Sequence, residues 1–287
     1  MKTNFLKLCI CLAALWITAS GNLFAEVALP KIIGNNMVLQ RNKPLTIWGY
    51  AAKGEKVTVQ FGSQIKDALT DTSGHWKVVL DPMQASDKPE QMIITATNTI
   101  KLENILVGEV WLCSGQSNME YPMKKFPNYK KPAKGTDLAE EELKNAHNPN
   151  IRIFLVEKKL ESTPKSQNSM IFNWFPGGVR GKTIENHRIL ISPPIGGLGG
   201  KKTFRSGLKL SIPDVTTTGW NDASDSALTH FSAVGYFFGK ELYKELNIPI
   251  GIISSSWGGS RIEPWTPAEA YAASPVFKER YLFEWIE

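Results

Sequence analysis

Val107-Gly108-Glu109-Val110-Trp111-Leu112-Cys113 runs directly into Ser114-Gly115-Gln116-Ser117-Asn118-Met119. The run from Ile105 to Cys113 is mostly apolar and reads as a buried strand. A polar, glycine-bearing turn follows at once, and Ser117 stands in it. A serine at such an exit is held by a rigid strand while its hydroxyl faces solvent. A nucleophile needs that combination: fixed, exposed and close to backbone N–H groups that can hold an oxyanion. The G-x-S-x-G elbow is absent, because Met119 stands where the second glycine would be. On residue chemistry alone, a plain turn serine and a nucleophile both remain open.

Downstream, two more strands and a helix frame this turn. Ile151–Val156 and Ile248–Ser254 read as strands. Phe231–Leu246 carries apolar residues at Val234, Phe237, Phe238, Leu242 and Leu246, which fits an amphipathic helix. Strands alternating with helices predict a parallel sheet with helices on its faces. In such sheets ligands sit beyond the carboxyl ends of the strands. The loop Ser255-Ser256-Trp257-Gly258-Gly259 leaves the last strand at such an end. Its paired glycines allow close backbone approach to a ligand, or simply a tight turn. Both loops follow strands, so both can meet at one site.

Upstream, residues 26–104 read as all-β. Short apolar runs recur at Met37–Gln40, Leu45–Tyr50, Lys56–Phe61, His75–Leu80 and Gln91–Thr97. Turn signals such as Gly34-Asn35-Asn36 and Asp71-Thr72-Ser73-Gly74 separate them, which predicts a small β-sandwich. Residues 1–25 have a basic front, an apolar run from Leu8 to Ala19 and small residues near Ala25. That layout predicts a cleaved signal peptide, export to the periplasm or beyond, and no lasting membrane insertion. Cys9 and Cys11 would leave with it, and the remaining Cys113 is expected to be a buried, inert thiol.

The formal charge of +6 falls to +4 without Lys2 and Lys7, with 31 basic against 27 acidic residues left. Part of it is a lysine run, Lys124, Lys125, Lys130, Lys131 and Lys134, expected in a solvated loop. No basic–aromatic interleaving points to nucleic acid. No CxxC, HExxH or phosphate-loop motif points to a metal or nucleotide cofactor. Residues 161–218 are rich in Gly, Pro, Lys, Ser and Thr and take no assigned element, as an insertion would.

Taken together, these stretches resemble the sialate O-acetylesterase family of SGNH-type hydrolases. The resemblance lies in Val107–Met119, in Phe231-Ser232-Ala233-Val234-Gly235-Tyr236-Phe237-Phe238-Gly239 and in Ile252–Trp265 with its Trp-Gly-Gly-Ser and Ile-Glu-Pro-Trp. Asn36-Met37-Val38-Leu39-Gln40 followed by Ile47-Trp48-Gly49 is similar as well. The resemblance implies an α/β fold: a β-sandwich at 26–104, then an SGNH-type three-layer α/β/α domain with a parallel sheet over 105–287. It implies a serine esterase, without metal or cofactor, that removes O-acetyl groups from sialic acids. Ser117 would attack the acetyl carbonyl. The oxyanion would rest on the Ser117 N–H and on that of Gly258 or Gly259, with Gln116, Asn118 and Glu263 toward the substrate. Acetylated plant polysaccharides are a second substrate class to weigh, and sugar binding on a dead hydrolase scaffold is a third reading.

One departure stands out. The family's Asp-x-x-His, which supplies the general base and its orienter, has no counterpart: none of His75, His147, His187 and His230 has an Asp three residues before it. The C-terminal stretch Pro275–Glu287 reads as a helix without a closing cap. The expectation is therefore a chain cut before its base, with an incomplete hydrolase domain and little activity of its own.

Overall fold

The computed structural model describes residues 26–124, 136–158 and 214–260. The signal-like segment, most of the lysine run, most of the 161–218 stretch, Glu263 and the C-terminal stretch lie outside the described residues.

The β-rich first part folds from alternation. Strands β1 (Val38–Gln40), β2 (Leu45–Tyr50), β3 (Lys56–Phe61), β4 (Gln64–Leu69), β5 (His75–Leu80) and β6 (Ser86–Thr95) precede the long β7 (Thr99–Gly115). In β3, Val57, Val59 and Phe61 are buried while Lys56 and Gln60 face out, the period of two that a one-sided sheet imposes. β2 pairs antiparallel with β5 in one layer. β4, β3, β6 and the first half of β7 form the other. Their inner faces share one apolar core with Ile47, Trp76, Leu80, Met92 and Ile94, as the sandwich reading predicts.

β4 is absent from the strands read from sequence. It follows β3 after Gly62-Ser63, with Phe61 opposite Gln64, and its mixed residues Gln64-Ile65-Lys66-Asp67-Ala68-Leu69 carry too little apolar signal to mark it. β6 begins at Ser86, five residues before the predicted Gln91, through two register irregularities that accommodate Pro89.

β7 leaves the sandwich without a break. Its residues 99–107 pair with β6, and residues 109–115 pair in parallel with β10 (Ile250–Ser256). Within the part paired with β6, at a register irregularity, Asn104 adopts a left-handed backbone (φ 59°), a conformation asparagine tolerates better than most residues. β10 lies between β7 and β8 (His147–Leu155), parallel to both, and β9 (Trp220–Ser224) closes that edge antiparallel to β8. The sheet is thus mixed, with a parallel centre. β10 is buried over Ile250–Ser255, the near-continuous burial that parallel strands require.

Helices α1 (Ser117–Glu120), α2 (Thr136–Asn145), α3 (Asp225–Leu228) and α4 (Ala233–Leu246) complete the described elements. They share an apolar cluster with Ile151, Ile153, Ile250 and Ile252 on one face of the parallel centre. The other face, with Val110, Phe154 and Ile253, packs onto the sandwich core.

α4 forms where predicted but buries a different stripe. Val234, Phe237, Phe238 and Leu246 are exposed, whereas Gly235, Tyr236 and Gly239 are buried. The reason is steric: a Cβ on Gly239 would come within 1.8 Å of Ile252 Cδ1, so small residues let the helix lie against β10. Ser232 caps this helix by accepting from the Gly235 N–H at 3.0 Å, and Asn247 ends it in a left-handed conformation.

Candidate active site

The last residues of β7 set the site. Gly115 has φ 141°, a backbone region that residues with a Cβ rarely adopt, so glycine lets the strand turn here. The chain then enters α1 at Ser117. Gln116, Ser117 and Asn118 are exposed, while Cys113, four residues upstream of Ser117, is buried. The serine therefore stands at the surface, just past the end of a strand paired with β10.

The neighbouring strand delivers the glycine turn to the same place. Ser255 and Ser256 of β10 stand opposite Ser114 and Gly115 of β7. Trp257 N–H then donates to the Gly115 carbonyl at 2.9 Å. This carries the turn at Gly258 and Gly259 over Ser117: a Cβ built on Gly258 would lie 3.6 Å from Ser117 Oγ. Only a residue without a side chain leaves that space open. Gly259 has φ 80°, the left-handed conformation that tightens the turn. Ser260 closes it, its Oγ donating to the Trp257 carbonyl at 2.7 Å.

Two further residues converge here that sequence reasoning missed. Glu120, at the end of α1, accepts from the Gly258 N–H through Oε2 and from Lys158 Nζ through Oε1. Lys158 follows β8, whose exit is bound alongside β10 by the Val156 N–H donating to the Ser254 carbonyl at 2.9 Å. Its ammonium also lies 5.8 Å from the centre of the Trp257 ring, within cation–π range. Glu120 directly follows the Ser-Asn-Met triplet, so its place was legible. Lys158 gave no signal, because only the sheet order brings the end of β8 beside β10 and β7.

The surrounding packing fixes α1. Tyr121 accepts from the Ala233 N–H at 2.8 Å, and Met123 N–H donates to the Phe231 carbonyl at 2.9 Å. Burial pushes the Cys113 thiol up to about 11, as expected for an inert thiol.

The described histidines occupy other places. His75 opens β5 and its ring lies 5.0 Å from that of Tyr50 in the sandwich. His147 is the first residue of β8 and pairs opposite Ser224. β8 runs parallel to β10, and β10 to β7, so His147 lies at the end of the sheet opposite Ser117. His230 precedes α4 in an exposed turn.

An exposed serine stands at the carboxyl end of one parallel strand, roofed by a glycine turn from the next, on an α/β hydrolase-like fold. The chain is 31% identical over 258 residues to the sialate O-acetylesterase of Rattus norvegicus, covering 85% of this chain and 38% of that protein. It is 29% identical over 281 residues to the sialate O-acetylesterase of Homo sapiens, covering 92% and 43%. A carbohydrate acetylesterase from Xanthomonas citri superposes with a TM-score of 0.60 at 27% identity, over 86% of this chain and 44% of that structure. No family model matches the chain. The chain is similar to sialate O-acetylesterases over most of its own length, and it spans about two-fifths of the length of these relatives.

Proposed function

We propose that the chain carries the nucleophile of a carbohydrate O-acetylesterase, that Ser117 attacks the acetyl carbonyl, and that O-acetylated sialic acid is the substrate. The observation that carries this reading is the close approach of Gly258 to Ser117 Oγ across the carboxyl ends of β7 and β10.

In this reading Ser117 Oγ loses its proton to a base as it bonds to the carbonyl carbon. The negative charge on the acetyl oxygen rests on the Ser117 N–H and on an N–H of the Gly258-Gly259 turn. The bond to the sugar oxygen breaks, and that oxygen takes up a proton. Water then attacks the acetyl-serine, and acetate and free Ser117 result. Gln116 and Asn118, exposed beside Ser117, offer amide groups to the sugar; Glu263 keeps its proposed substrate role, outside the described residues. Serine is a weak nucleophile without a base. No Asp-x-x-His occurs in the 287 residues, and the proposal assigns the base to the length by which the relatives exceed the matched span.

The signal-like pattern of residues 1–25 supports an exported protein, periplasmic or extracellular. Among the described residues no helix is long and apolar enough to cross a membrane.

The test is acetate release by the full-length protein, wild-type and Ser117→Ala, from O-acetylated sialic acid and from acetylated xylan. The expected result is faster release from the sialic acid and a loss of about 1000-fold or more in Ser117→Ala. Faster release from xylan reassigns the substrate to plant polysaccharide esters. Sugar binding without acetate release from either substrate would replace this reading with that of a carbohydrate-binding protein.

A further inference from the structure

Gly258 lies beside the serine, but its N–H is engaged by a carboxylate, Glu120 Oε2. That carboxylate is itself held by Lys158 Nζ. We propose that Glu120 is a positioning residue of the esterase site: it anchors the glycine turn through Gly258, so that the neighbouring Gly259 N–H is the turn's donor to the oxyanion, and Lys158 neutralises the carboxylate beside the developing charge. The proposal rests on the esterase reading above.

Three observations support it. Glu120 and Ser117 lie on the same single turn of helix, so Glu120 links the nucleophile's own element to the turn that roofs it. A Cβ on Gly258 would meet Glu120 Oε2 at 2.8 Å and Ser117 Oγ at 3.6 Å, so nucleophile, anchor and turn pack together without intervening atoms. A Cβ on Gly259 would meet nothing within 4 Å, which leaves room for a ligand at that residue. The charge balance follows from elementary electrostatics. A bare carboxylate close to a forming oxyanion raises the barrier, because like charges repel strongly where water is displaced. Lys158 reaches it from the end of a third strand, so β7, β10 and β8 all contribute to one arrangement.

The experiment uses the full-length protein and measures kcat, KM and thermal stability of Ser117→Ala, Glu120→Ala, Glu120→Gln, Lys158→Met and the double variant Glu120→Gln/Lys158→Met. Glu120→Ala should lower kcat about 10- to 100-fold with KM within about twofold, somewhat less than outright loss of an oxyanion donor. Glu120→Gln keeps an oxygen for the Gly258 N–H and should recover most of that loss. Lys158→Met should lower kcat about 10-fold by removing that positive charge from the carboxylate. The double variant should be faster than Lys158→Met alone, which a purely structural pair would not produce. If Glu120→Ala lowers only the melting temperature, or the double variant is slower than Lys158→Met, the proposal is overturned while the esterase reading stands. If Ser117→Ala keeps its activity, the esterase reading itself fails.

Discussion

At the residue scale, the strand that presents Ser117 also carries the one cysteine described, four positions earlier. The two side chains have opposite fates because one faces the helix-covered core and the other the solvent beyond the strand end. Burial holds the Cys113 thiol protonated, with its pKa pushed up to about 11. Iodoacetamide at pH 8 should therefore leave Cys113 unmodified in the native protein and label it only after denaturant is added, as mass spectrometry would read. Prompt labelling of the native protein would contradict the buried placement. The same shift has a signed consequence for stability. The unfolded thiol ionises near its ordinary value while the folded one does not, so the contribution is intact below pH 9. It is lost as the pH rises toward 11. A Cys113→Ala variant should show a shallower alkaline decline in denaturant midpoint than the parent.

Elements meet most closely where glycines allow it, and there β7 and β10 are joined. A Cβ on Gly108 would fall 1.9 Å from the Pro249 carbonyl oxygen, the same carbonyl that accepts from the Glu109 N–H at 2.9 Å. That oxygen is backbone and cannot rotate away. Gly108→Ala should therefore push the start of β10 off β7 and destabilise the fold by about 3 kcal/mol, the upper part of the usual range for overpacking. Urea unfolding would measure it. A variant as stable as the parent would mean that the α4–β10 connection yields, and the strand pairing is looser than its register suggests. The helix stripe teaches the same lesson. Val234, Phe237 and Phe238 have the right period for a core face, but the sheet accepts Gly235, Tyr236 and Gly239 instead, because close approach to β10 outweighs the apolar area of the larger residues.

Across the whole molecule, β7 is the common member of the sandwich and the parallel centre, and polar groups seal the join. Glu109, 2% exposed, accepts from Arg41 Nε at 2.8 Å and from Gln40 Nε2 at 3.1 Å. Gln40 Oε1 in turn accepts from the Val110 N–H at 2.9 Å. On the other side of the same strand, Asn104 accepts from Arg152 Nη2 at 3.1 Å and donates to Asn36 Oδ1 at 2.8 Å. A shared strand and a shared core bind sandwich and parallel centre into one cooperative unit. Thermal unfolding should show a single transition when followed by circular dichroism and by tryptophan fluorescence. Arg41→Met should lower stability by about 1.5–3 kcal/mol, the range for a hydrogen bond to a charged group. Two resolved transitions in the parent would show that the layers unfold separately.

By itself the sequence determined the alternating strands of the first part, the apolar strand that carries Ser117, the helix before β10, and the glycine turn after it. These are local patterns: a period of two, a run of buried residues, a helical period, and glycines where the backbone must turn. It also named Ser117, Gly258 and Gly259 as candidate partners, because strand exits in a parallel sheet share one edge. What it could not determine depends on contacts between distant segments. β4, β9 and the start of β6 carry little apolar signal and exist because a neighbouring strand offers its hydrogen bonds. His147 became a strand residue at the far end of the sheet for the same reason. Only the tertiary structure placed β10 between β7 and β8, and that order set Lys158 beside Glu120 and Trp257. The reason is that charge pairing across strand ends depends on sheet order, which no local period encodes.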